Sequence, residues 1–230
     1  MNLRVLTYNI QFGRGLDRRT DLARTVACVQ PFDADIIAFQ ETDLGRDRTR
    51  GIDQAAELAD RLGMRHVFTP AKLYRDGVCG LATMTRLPIT RHHHVPLPGQ
   101  PHRWTHEPRS ALISYVTWRG HEVRLINTHL STSPYERPAQ VTRLLEVLGP
   151  DDAIVVGDLN CSTRSKPQRA LRERLRTAAS PASWPSIAPV TNLDHILYRG
   201  PYQLVQAGVW RGPGHRHVSD HLPLFAEFTL

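Results

Sequence analysis

The chain is predicted to form an α/β fold in which two β-sheets pack together with helices outside them. Three observations point there. Short β-rich apolar runs recur along the chain, some of them apolar throughout, as in DIIAFQ and DAIVVG. Segments with apolar residues at helical spacing lie between them. No repeat, low-complexity tract or evident linker divides the 230 residues, so one domain over residues 1–230 is expected.

The elements follow in order. Leu3–Ile10 reads as a strand, with Gly13 and Gly15 as breakers behind it. Leu22, Val26 and Val29 give Asp21–Gln30 a helical face that stops before Pro31. Asp35–Gln40 reads as a strand buried on both faces. Ile52–Leu62 repeats apolar residues at helical spacing, and Gly63 is placed to cap it. Strands then crowd together at His66–Thr69, Gly80–Thr85, Ile89–Val95, Ser110–Trp118 and Glu122–Thr128, the last two joined across Arg119-Gly120 as a hairpin. Arg137–Leu148 is a helix with Val141, Leu144, Leu145 and Leu148 on one face, and Ala153–Val156 is another buried strand. Pro167–Arg176 reads as a basic helix, Ser180–Pro189 as a Pro-rich loop, and Leu193–Tyr198, Gln203–Val209 and Leu222–Phe228 as strands.

Six polar islands stand out against this frame, nearly all at the carboxyl ends of apolar runs. They are Asn9, Glu41, Asn127 with His129, Asp158 with Asn160, Asp194 with His195, and Asp220 with His221. Each member is a metal ligand, a phosphate hydrogen-bonder or a proton carrier, and no Cys or Ser/Lys pair suited to covalent catalysis is among them. The set reads as metal-assisted hydrolysis of a phosphate ester. A Glu41 carboxylate on a rigid strand end suits Mg²⁺, which takes one or two protein carboxylates plus waters and substrate oxygens. Asp158 and Asn160 are two apart, so in an extended segment both side chains share a face. His129 and His221 titrate near neutrality, and Asp194 is a credible partner to orient one of them. Arg109 opens a strand and either clamps a phosphate oxygen or pairs with Glu107. His195 follows Asp194 directly, faces the other way in a strand, and reads as structural.

His92, His93 and His94 are consecutive, so in a strand they cannot converge on one ion. A solvated or rim segment is favoured for them; with His102, Arg103, Trp104 and His106 they make a basic, aromatic-bearing loop before Arg109, and Arg211–His217 is a second such loop for the substrate rim. A serine hydrolase using Ser219, His221 and Asp194 lacks the Gly-x-Ser-x-Gly elbow. A non-catalytic phosphate-binding module would not need both an acid/base pair and metal ligands.

A net charge of +7, with 27 of the 29 basic residues being Arg, suits an anionic substrate. Charge alone does not separate nucleic acid from lipid or a small phosphoester. Cys28, Cys79 and Cys161 follow no metal spacing and suit a reducing compartment. No run approaches the ~20 apolar residues that span a bilayer. A cytoplasmic protein with no obligate protein partner is expected.

TYNIQFG, QE, GLATMTRLPI, EPRSAL, NTHL, GDLN, LDHIL and SDHLPL, in that order from Leu3 to Phe228, resemble the endonuclease/exonuclease/phosphatase superfamily. That group is similar to deoxyribonuclease I, the AP endonucleases, bacterial sphingomyelinases and inositol polyphosphate 5-phosphatases. The resemblance implies a deoxyribonuclease I-like four-layer sandwich of two packed mixed β-sheets flanked by helices, with the site at one end of the sheets. It implies Mg²⁺ or Mn²⁺ near Glu41, with Asn9 and Asp220 close by. It implies His221 as general base or proton relay oriented by Asp194, and Asp158 positioning the attacking water. By the same resemblance Asn160 and His129 contact the phosphate, with Arg109 in support. Only 33 residues separate Asn160 from Asp194, with Trp184 their one aromatic, unlike the longer aromatic-rich stretch of AP endonucleases. The signature segments of the inositol phosphatases are not apparent. The LPG…EPRSAL stretch looks more like the compact bacterial phosphodiesterases and sphingomyelinase-like members. Among substrates, nucleic acid is placed ahead of lipid or a small phosphodiester.

Overall fold

The computed structural model describes residues 2–100, 102 and 107–230. Twelve strands form two six-stranded mixed sheets. The first contains β1 (Leu3–Asn9), β2 (Ile36–Leu44), β3 (Arg65–Tyr74), β4 (Gly77–Thr85), β11 (Gln203–Val209) and β12 (Leu224–Thr229), in the order β11-β12-β1-β2-β4-β3. The second contains β5 (Ile89–Leu97), β6 (Arg109–Trp118), β7 (His121–His129), β8 (Ala153–Asp158), β9 (Arg176–Ala179) and β10 (Asp194–Arg199), in the order β5-β6-β7-β8-β10-β9. Helices α1 (Leu22–Val29) and α2 (Gln54–Leu62) cover the first sheet, and α3 (Arg137–Leu148) and α4 (Lys166–Arg172) the second. The expected four-layer sandwich is therefore the observed one.

Alternation along the strands builds three cores from one sequence. On β1, Leu3 and Val5 point between the sheets while Leu6 and Tyr8 point at the helices. On β8, Ile154 and Val156 point inward and Val155 outward toward α3. The middle core joins the sheets through residues such as Ile36, Leu125, Ile196 and Phe228. Followed toward one end, the inward positions turn polar: Thr7 then Asn9 on β1, Gln40 on β2, Asn127 then His129 on β7, and Asp158 on β8. Gln40 Nε2 donates to Thr7 Oγ1 at 3.0 Å and to Asn127 Oδ1 at 2.8 Å, tying the sheets together just beneath this end. Apolar burial thus holds the sandwich, and a hydrogen-bonded layer separates that core from the polar end.

Several boundaries differ from the sequence expectation. Strand β3 runs on to Tyr74 and turns through Arg75-Asp76 into β4, a hairpin without a Gly in its loop. Helix α4 stops at Arg172, and Arg176 opens β9, an edge strand whose RTAA sequence carries little β signal. The Arg119-Gly120 turn is a hairpin with φ of 52° and 81°. Asp53 and Ser165 cap α2 and α4 with their side chains, and Gly63 closes α2 at φ 64°. No helix among the described residues is long and apolar enough to cross a membrane.

Candidate active site

The polar ends of both sheets meet at one end of the sandwich, and register explains why. In the second sheet His129 pairs with Asp158 across the parallel β7–β8 ladder, and Asp158 pairs with Asp194 across the antiparallel β8–β10 ladder. Asp194 opens β10 rather than closing it, yet antiparallel pairing brings it to the same end. Gly157 makes the β7–β8 approach possible: at φ 135°, a Cβ there would sit 1.9 Å from the Thr128 carbonyl oxygen.

Glu41 reaches the site by a bulge. Strand β2 does not end at Glu41 as expected but continues to Leu44, and its pairing with β4 slips between Gln40 and Thr42. Gln40 already faces inward, so strict alternation would turn Glu41 toward the helices. The extra residue, at φ 56°, re-aims it toward Asn9 instead. Asn160 departs similarly from the extended geometry expected of GDLN. It lies past the end of β8 at φ 49°, with its backbone N–H donating to Asp158 Oδ1 at 2.9 Å. A turn, not strand alternation, keeps the two residues together.

Asn9 stands at the centre. Its amide nitrogen donates to Glu41 Oε1 and to Asp158 Oδ2, both at 3.1 Å. The same Asp158 oxygen lies 3.3 Å from His129 Nε2 and 3.7 Å from His221 Nε2. His221 Nδ1 is 2.8 Å from Asp194 Oδ2, which also accepts from Ser183 Oγ at 2.6 Å. Asn160 Nδ2 approaches His129 Nε2 at 3.1 Å and donates to the Leu130 carbonyl. Arg109 shares its guanidinium between Glu107, at 2.9 Å, and His129 Nδ1, at 3.4 Å, so of its two expected contacts the ion pair with Glu107 is formed. Beside Glu41, Arg109 and His129 lies a cavity of about 130 Å³, also lined by Arg48 and Lys72.

The electrostatics divide the groups. Burial raises Asp158 to about 7, against the pull of His221 and the Asn160 N–H. Burial also opposes charge on His221, but the carboxylates of Asp194, Asp158 and Asp220 outweigh it and lift the ring to about 10. His129 is pushed well below its usual value by burial, with Arg109 and His221 adding to the effect, and is neutral. Burial raises Glu41, and the Asp220 charge adds to this, while the Asn9 amide, Arg109 and His221 oppose it.

Asn9, Glu41, His129, Asp158, Asn160, Asp194, His221 and Arg109 therefore form one connected constellation. Asp220 lies close enough to act electrostatically on Glu41 and His221, and its Oδ1 accepts from Ser219 Oγ at 3.3 Å. Ser219 Oγ also donates to the Asn9 carbonyl, and His221 turns its two ring nitrogens to Asp194 and Asp158, so no serine triad exists. His195 faces the opposite side of β10, among Gln168, Ser180 and Cys161.

The rim reading needs correction. His92, His93 and His94 pair with Ser114, Ile113 and Leu112 in the middle of edge strand β5, well short of the Arg109 end, and His93 rests on the Tyr115 ring. His102 is exposed, and Arg103, Trp104 and His106 lie outside the described residues. The Arg211–His217 segment is hydrogen-bonded to residues beside the site, its Arg216 carbonyl accepting from Ser186 and its His217 carbonyl from Leu16. Sequence reading missed Ser183, Arg48 and Lys72. Only Ser183 left a trace, in the Pro-rich loop that proves to be bound to both Asp194 and the Ser219-Asp220 backbone through Ser183 and Ser186.

The two donor sets differ in suitability for a metal. One ligand atom each from Asp158, Asp194 and His221 lie within 4.8 Å of one another, but two carboxylates there already face one imidazole. Glu41 takes part in no ion pair among the described residues, although Asp220 lends it further negative charge. These hard oxygens lack a cation, which fits Mg²⁺ or Mn²⁺ better.

The Endonuclease/Exonuclease/phosphatase family pattern matches residues 6–221. The uncharacterized protein YbhP of Escherichia coli is 26% identical, in an alignment covering all of this chain and 97% of YbhP. Among solved structures, an endonuclease/exonuclease/phosphatase from Beutenbergia cavernae superposes with a TM-score of 0.82 at 22% identity, over 100% of this chain and 72% of that one. The human nocturnin catalytic domain with bound sulfate gives 0.78 at 20% identity, over 99% and 94% of the chains. The mannosyl-6-phosphatase Bt3783 of Bacteroides thetaiotaomicron gives 0.78 at 18% identity, over 99% and 100%. At such identities these structures speak for the fold alone.

Proposed function

The chain belongs to the endonuclease/exonuclease/phosphatase family, and on that premise we propose that it is a divalent-metal-dependent phosphodiester hydrolase. Members of the family are phosphoesterases and typically use divalent metals. The observation carrying the reading is the Asn9 amide, which joins the unpaired Glu41 carboxylate to the Asp158–His221–Asp194 chain within one hydrogen bond on either side. A metal-ligand candidate on the cavity wall is thus joined through Asn9 to the proton-transfer chain.

Glu41 and Asp220, with Asn9 in support, would hold the cation, which when bound supplies positive charge against the phosphate and the leaving oxygen. Arg109 binds a non-bridging phosphate oxygen, with His129 and Asn160 beside it. Asp158 orients the attacking water for in-line displacement. With its value near neutrality it accepts the water proton, and the protonated His221, held by Asp194, stabilises the negative charge that develops. This shifts the base from His221, as the resemblance implies, to Asp158, because carboxylates surround the His221 ring.

The runner-up, a phospholipid or small-molecule phosphoesterase, shares these residues and differs only in what lies beyond the scissile phosphate. Bt3783, named a mannosyl-6-phosphatase, makes the monoester a necessary arm of the test. Bis(p-nitrophenyl) phosphate, p-nitrophenyl phosphate and sphingomyelin would be assayed with Mg²⁺ or Mn²⁺ and with chelator. Diester turnover lost in chelator and in Glu41→Ala is expected. Full activity under either condition would refute the reading, and metal or nucleotide binding without turnover would identify a binding module.

A further inference from the structure

A second opening, a groove of about 910 Å³, runs between residues 17–24 and 48–61. Six arginines line it, Arg18, Arg19, Arg24, Arg48, Arg50 and Arg61, against the three carboxylates of Asp17, Asp21 and Glu57. Those carboxylates are engaged: Asp17 and Asp21 by Arg24 at 2.9 and 3.6 Å, Glu57 by Arg61 at 2.5 Å. Arg18, Arg19 and Arg50 have no ion pair among the described residues. The groove therefore keeps cationic charge that the protein itself does not neutralise.

Arg48 is the one residue that lines both this groove and the Glu41–Arg109 cavity. It is preset. Its Nε and Nη2 donate to the two oxygens of the wholly buried Asp43 at 2.7 and 2.8 Å, and its guanidinium lies 3.7 Å over the Phe12 ring. Phe12 is fixed in turn, its carbonyl accepting from Gln54, whose own side-chain oxygen accepts the Asp43 N–H. Nη1 makes no hydrogen bond among the described residues. A guanidinium clamped by a buried carboxylate and stacked on a ring is pre-organised to present its remaining N–H donors to an anionic oxygen such as that of phosphate.

We propose that Arg48 and the groove bind a second, non-scissile phosphate of the substrate while the scissile one occupies the cavity at Glu41 and Arg109. The inference rests on the phosphodiesterase reading above. The second phosphate comes either from the next link of a nucleotide strand or from a pendant phosphate on a small diester. Both would require the same guanidinium on the shared wall.

The test compares three substrates in wild type, Arg18→Glu/Arg50→Glu and Arg48→Lys: bis(p-nitrophenyl) phosphate, thymidine 5′-phosphate 3′-(p-nitrophenyl phosphate) and a thymidine dodecamer. The double variant uses two of the three groove arginines without ion pairs among the described residues, so no described ion pair is lost. Its kcat/KM on the dodecamer should fall about tenfold further than on bis(p-nitrophenyl) phosphate, mostly through KM, with a shallower salt dependence. Arg48→Lys should lower kcat/KM selectively on the substrates carrying a second phosphate. Losses on both such substrates assign a pendant or strand phosphate next to the scissile one; a loss on the dodecamer alone assigns a strand. Equal losses on all three substrates would overturn the proposal. Binding of fluorescein-labelled dodecamer in EDTA, followed by anisotropy, is read separately. If the wild type turns over none of the substrates but the double variant still binds the dodecamer about tenfold more weakly, the hydrolase reading fails and the groove stands. Unaltered dodecamer binding in both variants would sink the groove.

Discussion

Asp194 and His195 are neighbours on β10, and their opposite faces show how one strand serves two purposes. On the inner face Asp194 meets His221, and surrounding carboxylates lift that imidazole to about 10 despite its burial. On the outer face His195 meets neutral partners: Nε2 lies 2.9 Å from the Cys161 carbonyl, and Nδ1 lies 2.8 and 2.7 Å from Gln168 and Ser180. Burial lowers it to about 4, so it stays neutral. Both rings are buried and hydrogen-bonded. What separates a charged site group from a structural hub is whether its partners carry charge.

The largest test of that contrast is His221→Ala, expected to lower kcat on bis(p-nitrophenyl) phosphate about 10³-fold, the scale of a lost charge-stabilising donor. A loss of under tenfold at saturating Mn²⁺ would remove the ring from the chemistry. His195→Ala should do the reverse. It leaves the Cys161 carbonyl, Gln168 and Ser180 without partners and should cost about 3 kcal/mol in urea unfolding at pH 7, with kcat of the folded enzyme near wild type. A stable but inactive His195→Ala would collapse the distinction between the two faces.

The pH dependence sharpens it. The folded-state value of His195 is depressed, so the unfolded chain takes up the proton first. Its contribution is fully present above about pH 6.5, the unfolded value, and is lost as the pH falls toward 4, by roughly 3 kcal/mol in all. Urea titrations of wild type and His195→Gln between pH 7 and 4 should diverge over that window; parallel curves would contradict a neutral, buried ring. The smallest expected effect is Ser183→Ala. Removing its 2.6 Å bond to Asp194 should cost about 1 kcal/mol of stability and lower kcat several-fold with little change in KM. A change confined to KM would show that Ser183 acts on binding instead of on Asp194.

Much of this was legible before any coordinates. Apolar periodicity located nearly every strand and helix, because it records which face each segment buries, and the polar islands marked where that pattern breaks off. Arg176–Ala179 escaped notice because a short edge strand buries too little to leave a pattern. Arg48 escaped because an Asp43–Arg48 pair five residues apart follows no helical or strand spacing; only the β2 extension and the turn after it bring the two together. The His92–His94 run is solvated, as expected, but register places it mid-strand on an edge and away from the rim.

From its amino acids alone, this protein is committed to alternating apolar and polar strand positions, and so to two buried faces per sheet and a polar tip. Tertiary structure alone decided which tips meet. The β2 bulge that turns Glu41 inward, the antiparallel entry of β10 that sets Asp194 against Asp158, and the Arg48 clamp all depend on pairing between distant segments. Side-chain preference is a local quantity, whereas ladder register is set by the packing of the whole sandwich.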